Sequence, residues 1–454
     1  MTLTTSQHTY FLGIGGIGMS ALAHWRLGQG RAVSGYDRVS SVVTEGLEEA
    51  GAEIHFEENV EHLKGVDYIV YTPAVPQSHL EYQAALAQGI PMVKRAVALG
   101  ELSREYRTLA VAGTHGKTST SALLAHILRH AGVDATAFLG GLVRSLGGNF
   151  VSGKSEWMVA EADEYDRSFL QLHPEWTIIT ALDPDHLDIY GSPEAMLDTY
   201  RQLGRQSTNL LVHIDALQAD WDKDVLSYGI EEGDYQAVNV HTEGLLSVFD
   251  WKGPEGTVEN LALRMPGQHN VLNATAALAL AARAGADLGQ FQEAISSFTG
   301  IYRRFEILEH SENLSFVDDY AHHPKEIDAA IHTAKALFPE RKLVVVFQPH
   351  LFTRTRDFAA GFASSLSQAD AIRLMDIYPA RELPIAGVDS TIILNQIHQQ
   401  DKAMISREDL IQGLSETIEE PSVILSLGAG NIDREVPRIQ QWVQQRISSN
   451  TLKA

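Results

Sequence analysis

TLAVAGTHGKTSTSALLAHILRH, residues 108–130, decides the fold. Its apolar run TLAVAG reads as a buried strand, and SALLAHIL carries apolar residues at helical spacing. Between them stands Gly113-Thr114-His115-Gly116-Lys117-Thr118. Strand, glycine turn and helix start together predict a phosphate cradle in an α/β protein. Glycines admit close approach of the backbone, N–H groups face the anion, and the helix dipole adds positive potential. Lys117 would hold the β and γ phosphates and the Thr118 hydroxyl would sit on Mg2+. The general P-loop places four residues between its glycines, whereas here only Thr114 and His115 separate Gly113 from Gly116.

Upstream, residues 9–37 repeat the rhythm of strand, glycine turn, helix and strand. Gly13, Gly15 and Gly18 fit G-x-G-x-x-G, and Asp37 ends the second strand where a ribose-binding acid would stand. Alone, this pattern says NAD. With Gly16 added to the loop, close approach of a bulky diphosphate is expected. VDYIVYTPAVP, residues 66–76, is a further strand, ending at Thr72-Pro73 where such a domain presents loops to a ligand. A polar connector follows, so a domain boundary is placed near residue 104. Two nucleotide cradles with different loops in one chain constrain the function more than either does alone.

Downstream of the P-loop, WMVAEA ends in Glu161, Asp163, Glu164 and Asp166. Such acid density past a strand suits a hard cation, which a phosphate site requires in any case. TIITALDPDHLDIY repeats the pattern with Asp183, Asp185, His186 and Asp188. Imidazole is an uncommon Mg2+ ligand, so the residues alone favour a structural or solvated His186. Residues 205–265 read as a small β-rich insertion with hairpins. Asn270 and Asn273 share one face at the start of a helix, and either reading an adenine edge or capping fits them.

A second boundary fits near residue 302. Arg304 could clamp a transferring phosphate or lie on the surface. Beyond it, LSFVDDYAHHPKEIDAAI brings Asp318, Asp319, Tyr320, His322 and His323 before a helix whose N-terminus is a further candidate anion site. KLVVVFQPHLFTRTRDF ends a strand at His350, followed by Arg354 and Arg356. Two more strands complete a third α/β unit.

Composition narrows the class. The 454 residues suffice for two to four domains. The chain carries 35 basic and 58 acidic residues, a net charge of −23, which argues against a nucleic-acid partner. Anionic ligands must be met by local Lys, Arg or helix ends. With no cysteine, disulfides, zinc–thiolate sites and Cys nucleophiles are excluded. The start lacks signal-peptide character and no run of about 18 apolar residues exists, so the expectation is a cytoplasmic protein that does not meet the membrane.

The parts suggest a ligase: ATP, acidic metal ligands, a separate nucleotide cradle and a C-terminal sheet with His and Arg loops. GTHGKTSTSALLAHIL, VAEADEYDRSFL, DPDHLDIYG, GQHNVLNATAA, YRRFEIL, DDYAHHPKEI and FQPHLFTRTRDF, with FLGIGGIGMSALA at the start, resemble the Mur ligases from about residue 8 to 434.

The resemblance implies three domains: a Rossmann-like UDP-sugar domain at 1–103, a central ATP-binding domain at 104–302 with a small β-rich part, and a Rossmann-like C-terminal domain at 303–454. It is nearest to the member that joins L-alanine to UDP-N-acetylmuramate through an acyl phosphate. The sister that returns a tripeptide to the same nucleotide is the alternative. An NAD-dependent oxidoreductase would leave GTHGKT unexplained, and a decayed regulatory protein would not keep Lys117, Glu161 and His186. The resemblance further implies ATP at Gly113, Thr114, His115, Gly116, Lys117, Thr118 and Ser119, with Asn270 and Asn273 reading adenine. It puts Arg304 on ATP and Asp319 on the ribose, with Asp318 the second candidate there.

Mg2+, replaceable by Mn2+, falls to Thr118, Glu161 and His186, and catalysis to Lys117, Glu161, His186 and Arg304. UDP-N-acetylmuramate falls to Gly15, Gly16, Ile17, Gly18, Met19, Asp37 and Thr72, and L-alanine to Tyr320, His322, His350 and Arg354. The protein is expected to be a monomer or weak homodimer. Leu351 stands where the family motif has arginine, which leaves the amino-acid carboxylate to Arg354. No lysine follows the acidic stretch at the place where sister enzymes carbamylate one, so no carbamylation is expected.

Overall fold

Strand β1, His8–Leu12, runs straight into the first glycine turn, and its last four residues are buried. It lies at the centre of a five-stranded parallel sheet with β2 (Ala32–Tyr36), β3 (Glu53–His55), β4 (Tyr68–Tyr71) and β5 (Met92–Lys94), ordered β3-β2-β1-β4-β5. The strand order reverses between β1 and β4, the place where open α/β sheets leave a crevice for ligands. The turn after β1 and Thr72 after β4 meet there: a Cβ on Gly13 would lie 2.5 Å from Thr72 Cγ2.

This computed structural model describes residues 1–184, 187–380, 382–419 and 421–451. The chain divides into two compact units, Met1–Arg264 with Gln268–Ile301, and Met265–Gly267 with Tyr302–Ala454. The boundary expected at 302 falls at this division. The one expected at 104 falls inside the first unit, between its two sheets.

The second sheet of the first unit has ten strands: β6 (Arg107–Ala112), β7 (Thr136–Val143), β8 (Gly148–Val151), β9 (Trp157–Glu161), β10 (Trp176–Ile179), β11 (Asn209–His213), β12 (Leu226–Ile230), β13 (Tyr235–Glu243), β14 (Leu246–Gly253) and β15 (Gly256–Leu263). Their order is β15-β14-β13-β12-β11-β10-β6-β9-β7-β8. Leu109 to Ala112 of β6 are wholly buried, as a parallel strand covered on both faces requires. Burial of Leu109 and Val111 contributes about 1.5–3 kcal/mol each. Residues 205–265 are therefore no separate insertion. β11 to β13 extend the sheet in parallel, and β14 and β15 close it as an antiparallel ribbon.

The second unit has a six-stranded sheet: β16 (Glu306–His310), β17 (Leu314–Asp319), β18 (Lys342–Phe347), β19 (Ala371–Leu374), β20 (Lys402–Met404) and β21 (Ser422–Leu427), ordered β16-β17-β21-β18-β19-β20. Only β16 is antiparallel, so β17, β21 and β18 end side by side at one edge. No helix among the described residues is long and apolar enough to cross a membrane.

Candidate active site

Three neighbouring parallel strands, β10, β6 and β9, deliver the central cluster. β6 runs into Gly113 and the helix Lys117–His130, β9 ends at Glu161, and β10 leads to Thr180 and Asp183. The loop is held from behind by Thr180, whose hydroxyl donates to the carbonyls of His115 and Ala112. Gly113 (φ +133°) and Gly116 (φ +79°) have backbone shapes that L side chains rarely adopt. A Cβ on Gly116 would also lie 2.5 Å from Asn273 Oδ1.

Lys117 curls back over the loop. Its Nζ donates to the Gly113 carbonyl at 2.6 Å and pairs with Glu164 at 2.8 Å. Burial is the largest single influence on this ammonium and opposes its charge. The carboxylates of Glu164, Glu161 and Asp163 outweigh it and raise the pKa. Burial likewise raises the Glu164 carboxyl, with Lys117 pulling the other way. Glu164 is the partner that sequence reasoning missed, since four acids in six residues look alike.

Thr118 Oγ1 donates to Glu161 Oε1 at 3.2 Å, and the Gly140 N–H donates to Glu161 Oε2 at 3.1 Å. A Cβ on Gly140 would lie 2.3 Å from Glu161 Oε1, so only glycine leaves this carboxylate its place. A hydroxyl and a carboxylate side by side are hard oxygen donors that fit a divalent cation. His186, the third expected ligand, lies outside the described residues. Ser119 is buried in the first turn of the helix that begins at Lys117. His115 Nε2 stands 3.5 Å from Asp183 Oδ2, and the Asp183 N–H donates to Thr114 Oγ1 at 3.0 Å. Asn270 and Asn273 are buried at the start of the helix Gln268–Arg283. Asn273 Oδ1 accepts from Thr120 at 3.1 Å, which braces the P-loop helix.

The N-terminal cradle is held together by its own acid. Asp37 accepts from the Gly15 N–H at 2.8 Å and from the Arg38 N–H at 2.7 Å, so its carboxylate holds the loop itself. Gly16 caps the helix Ile17–Gly28 without a side-chain partner, Gly18 lies in its first turn, and Met19 is buried. The Gly18 turn packs on Arg95, whose guanidinium a Cβ there would meet at 2.8 Å.

In the second unit, Asp319 at the end of β17 accepts from the N–H groups of Phe305 (2.6 Å) and Ala321 (2.7 Å). Burial, with Arg304 acting against it, raises its pKa to about 6. The buried neighbour Asp318 is committed to Arg303 at 2.9 Å and to Ser426. Arg303 and Phe305 have φ of 58° and 46°, a strained backbone on both sides of Arg304. Arg304 lies 5.3 Å from the centre of the Tyr320 ring.

Tyr320, His322 and His350 come together, with ring centres 5.4 Å and 6.1 Å apart in turn. Tyr378, which the sequence did not reveal, stacks on His350 at 5.8 Å. Burial lowers His322 to about 4, helped by the charge of nearby Arg354 and opposed by Glu326. The helix Pro324–Leu337 does not present the open anion site expected of its N-terminus. His323 and Glu326 form a capping box that takes up its end. Leu351 has φ 68° and starts the short helix Phe352–Asp357 that carries Arg354.

Models of known families match the chain in three consecutive pieces. Residues 8–107 match the Mur ligase family catalytic domain, 111–281 the Mur ligase middle domain, and 303–430 the Mur ligase glutamate ligase domain. A UDP-N-acetylmuramate–L-alanine ligase of Flavobacterium johnsoniae is 41% identical over 98% of this chain and 100% of its own length. The ligase of the same name from Phocaeicola vulgatus is 43% identical over 97% and 98%. The crystal structure of a UDP-N-acetylmuramate–alanine ligase from Thermotoga maritima superposes with a TM-score of 0.82 at 31% identity, covering 97% of this chain and 99% of that one. A murein peptide ligase from Psychrobacter arcticus shares the fold, with a TM-score of 0.71 at 24% identity over 96% of this chain and 98% of its own. The chain belongs to the Mur ligase family.

Proposed function

We propose that the protein joins L-alanine to the lactyl carboxylate of UDP-N-acetylmuramate, using ATP and releasing ADP and phosphate. The observation that carries this reading is the shared edge of β10, β6 and β9. There a P-loop lysine, a hydroxyl and a carboxylate stand together beside a second cradle in the same compact unit. Relatives of matching length and name support the choice of substrates.

Residues 1–103 take the UDP-sugar on the backbone of Gly15 to Met19, which Asp37 keeps in place, with Thr72 at the facing strand end. Residues 104–302 take ATP on the loop Gly113–Ser119, and Asn270 and Asn273 meet the adenine side. Residues 303–454 take L-alanine among Tyr320, His322, His350 and Arg354. Thr118, Glu161 and His186 would hold Mg2+, which when bound neutralises phosphate charge.

Two anions must meet for the first step. A lactyl carboxylate oxygen attacks the γ-phosphorus and the bond to ADP breaks. Lys117 offers its ammonium to the phosphates in exchange for Glu164. The alanine amine then attacks the acyl carbon, the C–O bond to phosphate breaks, and the proton released from the amine passes to solvent. His322, held neutral by its surroundings, can accept hydrogen bonds near that amine, and Arg354 meets its carboxylate.

Phosphate release measured with each substrate omitted in turn tests the reading. Release that requires ATP, L-alanine and UDP-N-acetylmuramate together is expected. No turnover with the muramate nucleotide would refute the proposal, and equal rates with glycine, serine and alanine would refute the amino-acid assignment.

A further inference from the structure

The two cradles of the first unit are joined by a chain of side-chain contacts. Arg95 opens the helix Arg95–Ser103, directly after β5. Its aliphatic stem and guanidinium lie against Gly18, where an added Cβ would meet Cδ and Nη1 at 2.8 Å. The same guanidinium donates to Asp163 Oδ2 at 3.1 Å. Asp163 sits between Glu161, which receives the Thr118 hydroxyl, and Glu164, which pairs with Lys117. Lys94 repeats the tie one residue earlier by pairing with Asp166 at 2.8 Å.

The loop so gripped is strained, with φ of 54° at Asp166 and 53° at Arg167. Backbone held in this region persists only where its surroundings impose it, and it relaxes when they are released. A second grip lies on the other side of the cradle. Asn149, buried in β8, donates to the Ile17 carbonyl at 2.6 Å and to Ser20 at 3.0 Å.

We propose that Arg95 is a positioning residue that, through Asp163, couples occupancy of the Gly15–Met19 cradle to the geometry of Lys117, Thr118 and Glu161. A ligand that shifts the Gly18 turn shifts the guanidinium packed on it, and the guanidinium carries Asp163 and the acids on either side. The first cradle thereby sets how Glu164 and Glu161 stand when the triphosphate arrives. The pair itself is half open to water, with side chains 23% and 43% exposed, so its loss costs the fold little. Its effect is on the link between the sites, which is a free energy shared by both ligands.

This inference rests on the assignment of the two cradles to UDP-N-acetylmuramate and ATP. Its test is the dissociation constant of the non-hydrolysable ATP analogue AMP-PNP with Mg2+, measured by calorimetry with and without saturating UDP-N-acetylmuramate. The wild type is expected to bind AMP-PNP about tenfold tighter with the sugar nucleotide present, within the usual range of coupling. Arg95→Met should bind AMP-PNP alone within twofold of wild type, with the coupling reduced to less than twofold, and Asp163→Asn should lose the coupling to the same extent whatever its own affinity for AMP-PNP alone. The double variant should lose no more than either single one, and Arg95→Lys should recover part of the effect. Binding of AMP-PNP alone shows that each variant is folded at the site. Wild-type coupling retained in both single variants would overturn the inference, as would a wild type that binds both ligands without coupling. A wild type that fails to bind one of the ligands would instead refute the assignment of the cradles.

Discussion

Lys117 and Glu164 form an ion pair at 2.8 Å with side chains only 15% and 4% exposed. The Lys117 ammonium thus already has an anion, and in the proposed reading a phosphate takes the place of Glu164. Removing one partner of such a buried pair leaves the other uncompensated, at about 3–5 kcal/mol. Lys117→Met is therefore expected to lose ATP-dependent turnover and to lower unfolding stability in urea by that order. Lys117→Met combined with Glu164→Gln should regain most of the stability and none of the turnover. Equal stability of Lys117→Met and wild type would contradict the pairing.

Gly140 has no room for a methyl group, because the carboxylate of Glu161 fills the space at 2.3 Å. Gly140→Ala should displace Glu161 from Thr118 and reduce kcat by about 100-fold, the usual cost of misplacing a reacting group by an ångström. The circular dichroism spectrum should be unchanged. Undiminished kcat would show that Glu161 does not act from this position.

The glycine turns, the sheets and the order of the three α/β units were legible because each is written in a short stretch. An apolar strand, a glycine turn and a helix start need no distant partner to be recognised. What each acid does was not legible. Glu161, Asp163 and Glu164 differ only in which way the strand end and the turn after it aim them, and their partners Thr118, Arg95 and Lys117 stand 43, 68 and 47 residues away. Asp37 looked like a ribose acid because its spacing from the glycines is right. Its carboxylate also accepts from the Gly15 N–H, a local contact that this spacing does not reveal. The β-rich stretch at 205–265 looked detached because hairpin patterns do not reveal that the preceding strands join a larger sheet. Tyr378 was hidden because no motif surrounds it, and the chain brings it to His350 only through the packing of the third sheet.

His322 should stay neutral far below the usual histidine range, with a pKa of about 4 set first by burial. About a fifth of the side chain reaches solvent, yet its surroundings still withhold water from the charged form. The folded value is depressed, so the contribution to stability is complete above pH 6.5 and is lost as pH falls from 6.5 to 4. Asp319, raised to about 6, acts oppositely: its contribution is complete below about pH 4 and is lost as pH rises through 6. His322→Phe should therefore flatten the loss of stability on acidification from pH 6.5 to 4. An NMR titration of the His322 ring nitrogens checks this directly. A midpoint at or above 6.5 would contradict it.

Arg354 follows Leu351 on a short helix that begins at a strained residue. In the proposed reading Arg354 meets the amino-acid carboxylate. Arg354→Met should raise the KM for L-alanine at least tenfold, in keeping with a charged hydrogen bond worth about 1.5–3 kcal/mol. The KM for ATP should stay within twofold. A rise confined to ATP would move Arg354 out of the amino-acid pocket.

Activation of a carboxylate by ATP is the central claim, and one isotope experiment follows the reacting oxygen. UDP-N-acetylmuramate labelled with 18O in both oxygens of its lactyl carboxylate is incubated with ATP, Mg2+, L-alanine and the protein, and the released phosphate is analysed by mass spectrometry. Transfer through an acyl phosphate puts one 18O atom into each phosphate released. Phosphate released without 18O while the L-alanine product forms would contradict the account.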